Sequence, residues 1–338
     1  MKRLPRWFGA AALLLAGALI FAACSDSDDD GSEGDPPPEE MRSVTVMLDW
    51  TPNSNHMGIY VAREQGWYAA AGLDVTIIEP TGGVEAIVAE GQAQFGISYA
   101  EAVLPARLAG VGITSVATIL PHNESSLMSL ASANIARPKD LEGKRYGGFG
   151  GALERQLVES LVACDGGDPS LVEFVEVGNV DYIPGMDQDR FDFVWVFEGW
   201  DVIRARNLEG VEVTTLRFID YTECIPDWYT PVIVAGDDLI ADDPDLVSDF
   251  LEVTARGYDF VADQPDEAAT LLLAAVPELD AQLVRDSAAY LGGRFSDGAG
   301  WGQQEDSIWV EFEVFLREAA LIEEAIDVAE AYTNSFLP

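Results

Sequence analysis

The chain has 338 residues and carries 59 Asp and Glu against 19 Lys and Arg, a formal net charge of −40. A charge this negative repels phosphate backbones and anionic membrane surfaces, which argues against nucleic-acid binding. With two His and three Cys, the chain has too few ligands for a zinc ribbon, an iron–sulfur cluster or a disulfide-dense scaffold. Its length fits about two domains, each large enough for a core of its own.

Residues 1–23 have the pattern of a lipoprotein signal peptide. Basic side chains precede a long uncharged stretch that ends in small residues, so we expect cleavage before Cys24 and its lipidation. A plain signal peptide or an N-terminal membrane helix is the alternative, although the apolar run is short for a span. Residues 24–42 are rich in Asp, Glu and Pro, which predicts a disordered acidic tether. We therefore expect the body at the extracytoplasmic face of the cell membrane, held by a lipid anchor alone.

Strand and helix patterns alternate along the body, which predicts an α/β protein with helices covering its sheets. A first unit runs from residue 44 to 109 and a second from 137 to 225, and the chain after these is predicted to be mainly helical. The predicted strands are 44–48, 73–78, 95–98, 145–147, 171–177, 191–197, 211–216 and 231–235, and the longer predicted helices are 59–71, 100–109, 152–164, 200–207, 244–262 and 301–320.

Two short extended segments, 126–131 and 229–235, flank the second unit. If both cross between units, the second unit is inserted into the first, which is then built from both ends of the chain. We therefore predict one lobe from residues 43–128 and 232–338 and a second lobe from residues 129–231. The ligand is expected in the cleft between these two hinged lobes.

The loop from Asp49 to His56 is the first candidate binding segment, because it joins the carboxyl end of a strand to a helix, where open α/β sheets bind ligands. Trp50 offers a flat face for stacking, and Asn53 and Asn55 can each donate and accept hydrogen bonds at the edge of a heterocycle. The alternatives stay open here: Trp50 in the core, and both Asn residues in turn and capping roles. His56 is expected either to contact the ligand or to cap and pack the helix start.

Further candidates follow other strands. Ser98 and Tyr99 come directly after the strand at 95–98 and are expected on the wall of the first lobe. Phe149 and Gly150 lie in a glycine-rich loop before a helix. Such a loop either directs backbone N–H groups at an anion or a ring oxygen, or is a tight turn.

Trp228 and Tyr229 lie at the second extended segment, where they either close an aromatic cage around the ligand or pack the hinge. Cys164 and Cys224 are the two cysteines of the body. A disulfide and two buried thiols are equally compatible with the sequence, because spacing alone does not establish geometry.

The run LDWTPNSNHMGIY at 48–60, with EQGWYAAAGLDV at 64–75, resembles the thiamine-pyrimidine family, which includes bacterial formylaminopyrimidine-binding lipoproteins and fungal thiamine pyrimidine synthases. PKDLEGKRYG at 138–147 resembles the start of the second lobe in type II periplasmic binding proteins. The resemblance covers residues 44–330 in organisation. It implies the type II fold, in which two α/β lobes are joined by two hinge crossovers, and a small heterocyclic ligand delivered to an ABC permease and its ATPase.

Glu198 matches an acidic position that follows the corresponding strand in this family. A carboxylate there can accept hydrogen bonds from the exocyclic amine of a pyrimidine, and its charge makes such bonds stronger. The resemblance therefore implies a thiamine-precursor aminopyrimidine as the ligand. A related branch binds riboflavin, and the 48–60 motif does not separate the two branches.

The synthase branch supplies the enzyme alternative. Those synthases use a Lys for pyridoxal phosphate and a nearby His, and aligned on Phe95-Gly96-Ile97 the two positions fall on Ser98 and Ala102 in this chain. The chemistry needs an amine for the imine and an imidazole to consume. We therefore expect a monomeric binding protein that is not an enzyme and that uses no cofactor and no metal.

Overall fold

The structure, a computed structural model, describes residues 41–338. The predicted signal peptide, the lipidation site at Cys24 and nearly all of the predicted tether lie outside these residues. The tether prediction extended to residue 42, but Arg42 already begins the first strand. Among the helices of the described residues, none combines the length and the apolar character that crossing a bilayer requires.

Ten strands in the described part of the chain form two sheets of five strands each. The strands are β1 (Arg42–Met47), β2 (Leu73–Ile78), β3 (Phe95–Ser98), β4 (Ile113–Thr118), β5 (Ser125–Leu130), β6 (Arg145–Gly148), β7 (Glu173–Glu176), β8 (Phe193–Phe197), β9 (Val213–Arg217) and β10 (Val232–Gly236). The first sheet has the order β2-β1-β3-β10-β4, and the second has the order β7-β6-β8-β5-β9. In each sheet three neighbouring strands run parallel, and the next strand, β10 or β5, runs antiparallel to both of its neighbours.

Helices cover both sheets, as the alternating pattern predicts. Those in the described residues are α1 (Met57–Glu64), α2 (Trp67–Ala70), α3 (Val84–Ala89), α4 (Ala100–Leu108), α5 (Ala152–Cys164), α6 (Tyr182–Asp187), α7 (Asp237–Asp242), α8 (Pro244–Asp263), α9 (Pro265–Ala275), α10 (Ala281–Leu291) and α11 (Asp306–Glu318). The single helix predicted over 59–71 is two helices, because Gly66 adopts φ 71° and ends the first of them.

The core of the first lobe joins parts of the chain that are far apart in sequence. Phe250 of α8 stacks on Phe95 of β3 with ring centroids 4.0 Å apart, and on Tyr68 of α2 at 5.4 Å. Val44 and Val46 alternate along β1 and contribute to the same buried cluster. The carboxyl-terminal helices therefore complete the lobe that the amino-terminal strands begin.

The helix predicted over 200–207 lies within two π-helical segments, Glu198–Val202 and Arg204–Leu208. The carboxylate of Asp201 accepts a hydrogen bond from the backbone N–H of Phe197 at 3.0 Å at the start of this segment. This contact gives the N–H of the residue before the segment an acceptor, as capping side chains do.

Two crossovers join the sheets: residues 119–124 lead from β4 to β5, and residues 218–231 lead from β9 to β10. The predicted arrangement of two α/β lobes with two crossovers is confirmed. The segment predicted to cross at 126–131 is instead strand β5 of the second sheet. We therefore propose a lobe boundary before Ser125 in place of the boundary after residue 128. Strand β4 has no counterpart in the sequence prediction.

Candidate functional site

The topology places one edge of each sheet at a shared cleft. The carboxyl ends of β1, β3 and β4 and the amino end of β10 lie at one edge of the first sheet. The carboxyl ends of β6, β8 and β9 and the amino end of β5 lie at one edge of the second. Both crossovers run between these two edges, so the edges face each other across the hinge. Loops that leave β1, β3, β6 and β8 at these edges therefore line the cleft.

A hydrogen-bond network centred on Asp49 holds the loop after β1. His56 Nε2 lies 2.6 Å from Asp49 Oδ1, and the hydroxyl of Tyr99 donates to Asp49 Oδ2 at 2.5 Å. The backbone N–H of Asn53 donates to His56 Nδ1 at 3.2 Å, so the ring proton lies on Nε2 and points at Asp49. Burial raises the pKa of Asp49, but its contacts with His56 and Tyr99 outweigh burial, and the net pKa lies below the ordinary value.

This network corrects the predicted roles of His56 and Asn53. His56 is fully buried and holds the loop by its two ring nitrogens, so it does not reach the cleft. Asn53 Oδ1 accepts from the N–H of Asn55 at 2.9 Å, and Asn53 Nδ2 donates to the carbonyl of Thr51 at 3.1 Å. The side chain of Asn53 is thus occupied in capping the turn. Contact between Asn55 and a ligand stays a prediction.

Trp50 and Phe149 are the two large aromatic side chains of the described residues that remain well exposed, at 48% and 55%. Trp50 follows β1 in the first lobe, and Phe149 follows β6 in the second lobe. Each therefore lies on a loop at the cleft edge of its own sheet. Contact of either ring with a ligand stays a prediction.

The glycine-rich loop after β6 is a tight turn whose N–H groups are already bonded. The backbone N–H groups of Phe149 and Gly151 donate to the carboxylate of Glu154 at 3.1 Å and 2.9 Å. The anion-binding interpretation is therefore wrong for these two groups, because a carboxylate of the chain occupies them. Gly150 adopts φ +83°, which only glycine adopts without strain, and this turn presents Phe149 to solvent.

Trp228 packs the hinge and does not line the cleft. Its side chain is fully buried, stacks on Phe312 of α11 at 5.1 Å, and donates from Nε1 to Glu101 Oε2 at 2.9 Å. Burial of Glu101 raises the pKa of its carboxyl to about 8, although the hydrogen bond from Trp228 lowers it. The hinge therefore encloses a carboxyl group that stays largely protonated at neutral pH.

Tyr229 and Ser98 are also buried and make hydrogen bonds within the protein, and their contact with a ligand stays a prediction. The hydroxyl of Tyr229 accepts from the backbone N–H of Glu305 at 2.7 Å. This hydrogen bond joins the second crossover to the segment before α11. Ser98 donates its hydroxyl proton to Glu85 Oε1. For Trp228 and Tyr229 the sequence analysis gives two alternatives, an aromatic cage around the ligand and packing of the hinge. The structure shows both side chains packed at the hinge.

The crossovers are also tied to each other. Asp227 Oδ1 of the second crossover accepts from the backbone N–H of Asn123 in the first at 3.0 Å, and Asp227 Oδ2 lies 2.7 Å from His122 Nδ1. The hydrogen bond with Asp227 raises the pKa of His122 above its ordinary value. Cys164 of α5 and Cys224 of the second crossover are joined in a disulfide with their Cα atoms 5.5 Å apart, so that crossover is also anchored to the second lobe.

Glu198 is the predicted site residue with the most unusual surroundings. It follows β8 at the cleft edge and is only 5% exposed, and its Oε1 atom is buried with no hydrogen-bond partner. A buried carboxylate oxygen normally has a partner, because its burial is otherwise strongly unfavourable. The unpaired acceptor at the end of β8 is therefore a group available to a ligand.

Two residues that the sequence did not single out, Tyr290 and Arg294, reach this edge from the first lobe. Tyr290 donates from its hydroxyl to Glu124 Oε2 at 2.6 Å, and Arg294 Nε lies 3.3 Å from Glu124 Oε1. Ser287, which lies with Tyr290 on helix α10, donates to the carbonyl of Gly199 in the second lobe. Helix α10 therefore contacts the second lobe directly. The helical spacing of 281–291 marks its apolar face but gives no sign of what its polar face meets.

A profile of the family described as NMT1/THI5 like matches residues 53–268. The chain is 27% identical to the formylaminopyrimidine-binding protein of Halalkalibacterium halodurans, with 88% of this chain and 91% of that protein covered. It is 27% identical to the 4-amino-5-hydroxymethyl-2-methylpyrimidine phosphate synthase of Legionella pneumophila, with 87% and 92% covered. It is 26% identical to the riboflavin-binding protein RibY of Chloroflexus aurantiacus, with 88% and 87% covered.

Among solved structures, the ligand binding component of an ABC-type import system from Staphylococcus aureus superposes with a TM-score of 0.67 at 14% identity, covering 88% of this chain and 98% of that chain. The periplasmic aliphatic sulphonate binding protein SsuA from Escherichia coli gives 0.65 at 13% identity, with 85% and 91% covered. These likenesses confirm the predicted fold, that of a type II periplasmic binding protein.

Proposed function

Since the chain belongs to the NMT1/THI5 like family, we propose that it is a solute-binding protein of an ABC importer, and that it binds a thiamine-precursor aminopyrimidine between its lobes. The ligand rests between Trp50 and Phe149, and Glu198 accepts hydrogen bonds from its amino edge. Contacts to both lobes stabilise the closed form, which the permease recognises.

Three side chains support this proposal, two exposed aromatic residues and one carboxylate with an unpartnered oxygen, because each follows a strand end at the facing sheet edges. Trp50, Phe149 and Glu198 leave the carboxyl ends of β1, β6 and β8 at the two facing edges. Two stacking faces and one buried acceptor are complementary to a flat ring with an exocyclic amine. The similarity to a formylaminopyrimidine-binding protein over most of both chains supports the same ligand class.

The proposal extends to the cellular setting. A signal peptide over residues 1–23, lipidation at Cys24 and an acidic tether would place the binding body outside the cytoplasm at the membrane surface. There a monomer would deliver its ligand to a permease and ATPase pair. Mass spectrometry of the membrane fraction tests the anchor, because a diacylated peptide beginning at Cys24 is the expected product and an unmodified Cys24 contradicts it.

Calorimetric titration with 4-amino-5-hydroxymethyl-2-methylpyrimidine and its N-formylamino relative tests the ligand. Each stacked ring face contributes about 1 kcal/mol beyond area burial, so we expect Trp50→Ala and Phe149→Ala each to weaken binding by at least about fivefold. Leu171→Ala is the matched control, since Leu171 is an exposed apolar residue of the second lobe away from the cleft edge. The same loss in all three variants, or no binding to the unaltered protein, would contradict the proposal.

Riboflavin is the second candidate ligand, because the chain is nearly as similar to a riboflavin-binding protein as to a formylaminopyrimidine-binding protein. Riboflavin fluorescence is quenched when its ring stacks on an aromatic side chain, so a fluorescence titration reports it directly. If riboflavin binds and excess aminopyrimidine does not displace it, the flavin is the ligand.

The synthase reaction is not proposed, because the residues do not fit pyridoxal phosphate. The lysines of the described residues are Lys139 and Lys144, and their amines donate to the carbonyls of Gly166 and Ala133. Lys144 directly precedes β6, at the sheet edge opposite the cleft. No lysine amine of the described chain is thus placed at the cleft edge for an imine.

A further inference from the structure

The surroundings of Glu198 bear on the charge of the ligand. The backbone N–H of Glu198 donates to the carbonyl of Glu124 at 2.9 Å, which continues the β5–β8 ladder one residue pair beyond Ser125 and Phe197. Directly opposed residues of an antiparallel ladder place their side chains on the same face, so two carboxylates stand side by side at the cleft edge. Two like charges at such a position repel each other unless each is compensated.

Glu124 is compensated, and Glu198 is not. Glu124 accepts from the Tyr290 hydroxyl and pairs with Arg294, and Arg217 of β9 lies 3.9 Å from its Oε1 atom. Glu198 has no ion pair, and its Oε1 is unpartnered. Asp201, three residues further along the same segment, is also acidic and accepts from the backbone N–H of Phe197, so it cannot be the counter-ion of Glu198.

We propose that the ligand is held as a cation, an amino-heterocycle protonated at a ring nitrogen, with Glu198 as its counter-ion. This inference rests on the proposed function and makes its substrate class narrower: a weakly basic aminopyrimidine fits, whereas the uncharged ring system of riboflavin does not. A neutral ligand takes up a proton from solvent at its ring nitrogen as it binds, and no covalent bond to carbon forms or breaks. The amine and the ring N–H then both face the carboxylate.

The same arrangement links charge neutralisation to lobe closure. Glu198 belongs to the second lobe, and Glu124 is the last residue of the first crossover, directly before β5 of that lobe. Tyr290 and Arg294 belong to the first lobe. When the lobes meet, the first lobe compensates Glu124 and the ligand compensates Glu198. Closure without a cation leaves Glu198 buried and unpaired, which favours the open form in the absence of ligand.

Calorimetry in buffers of different ionisation enthalpy tests this inference, with 4-amino-5-hydroxymethyl-2-methylpyrimidine as the probe. We expect uptake of about one proton per ligand above the pKa of the pyrimidine, and a dissociation constant that rises about tenfold per pH unit there. The 4-hydroxy analogue, which lacks the amine and is far less basic, is expected to bind at least about tenfold more weakly.

The Glu198→Gln variant identifies the group that holds the proton. If the ligand is the cation, this variant binds about tenfold or more weakly and loses the pH dependence, because the counter-ion is gone. If Glu198 itself takes up the proton, the Gln variant mimics its protonated form and binds as well as the unaltered protein, which overturns the inference. Glu212→Gln makes an equal charge change directly before the amino end of β9, at the sheet edge opposite the cleft. This variant is expected to preserve both affinity and pH dependence.

The hydrogen bond with Asp227 raises the pKa of His122, so this side chain is a second candidate for proton uptake. Proton uptake is therefore also measured in His122→Gln, where it is expected to persist. Binding of the aminopyrimidine with no proton uptake overturns the cationic ligand and leaves the proposed function standing. Failure of the aminopyrimidine, its formylamino relative and riboflavin to bind overturns both.

Discussion

Replacing Glu101, a partly buried residue of α4 whose carboxyl accepts from the hinge residue Trp228, with Gln should remove a specific pH dependence of stability. Burial raises the pKa of Glu101 from 4.5 to about 8. Between these two values the unfolded chain releases the proton while the folded chain retains it. The free energy of unfolding therefore falls as pH rises, by at most about 1.4 kcal/mol per pH unit. The neutral Gln side chain escapes this loss and still offers Trp228 Nε1 an acceptor.

The magnitude follows from the difference between the two pKa values. About 3.5 pH units at 1.4 kcal/mol each set an upper bound of roughly 5 kcal/mol on the advantage of the variant at pH 8. We expect Glu101→Gln to match the unaltered protein within about 1 kcal/mol at pH 4.5 and to exceed its stability by about 2–4 kcal/mol at pH 8. Below pH 4.5 both states of the unaltered protein are protonated, and the difference stays small.

Chemical denaturation at intervals from pH 4.5 to pH 9 measures this difference. Glu173→Gln, which removes an exposed carboxylate of β7, is the control and should give a nearly pH-independent difference. An advantage for Glu101→Gln that does not grow between pH 5 and pH 8 would refute the reasoning, since it would mean that the buried carboxyl is not held protonated.

Three further predictions concern the loop, the crossover anchor and the hinge. Gly150→Ala should destabilise the protein by about 1–2 kcal/mol because of the left-handed backbone, measured by denaturant unfolding; an equal loss in Gly151→Ala, whose φ is negative, would contradict this. Reduction of the Cys164–Cys224 disulfide, which closes a loop of 60 residues, should cost about 4 kcal/mol and lower the melting temperature; an unchanged melting temperature on complete reduction would exclude that contribution. Asp227→Asn should lower the pKa of His122 in an NMR titration and should cost more stability at pH 5.5 than at pH 8.5. A histidine whose pKa is raised on folding stabilises the folded state most at pH values below its unfolded pKa, and this stabilisation is lost as pH rises through its folded pKa. Equal losses of stability at both pH values would exclude the charged pair.

Local apolar patterns predict the alternation of strands and helices, and with it the two-lobed α/β fold. Strands such as β2 and β3 and helices such as α5 are set by local apolar periodicity, which survives in any context that buries the apolar face. The sequence also directed attention to the loops at the cleft, because binding loops follow the carboxyl ends of strands. Trp50 and Phe149 are predicted as candidates in this way, whereas Glu198 is predicted from its match to an acidic position of the family.

Which candidate side chains are buried depends on contacts that form only in the folded chain. Trp228 and Tyr229 occupy suggestive positions in the sequence, yet both are buried and contact residues far along the chain, Phe312 and Glu305. The same holds for the pairing of α10 with Glu124, because the contact joins residues that are far apart along the chain. Burial and charge compensation depend on which residues are neighbours in three dimensions. Local sequence periodicity does not predict those neighbours.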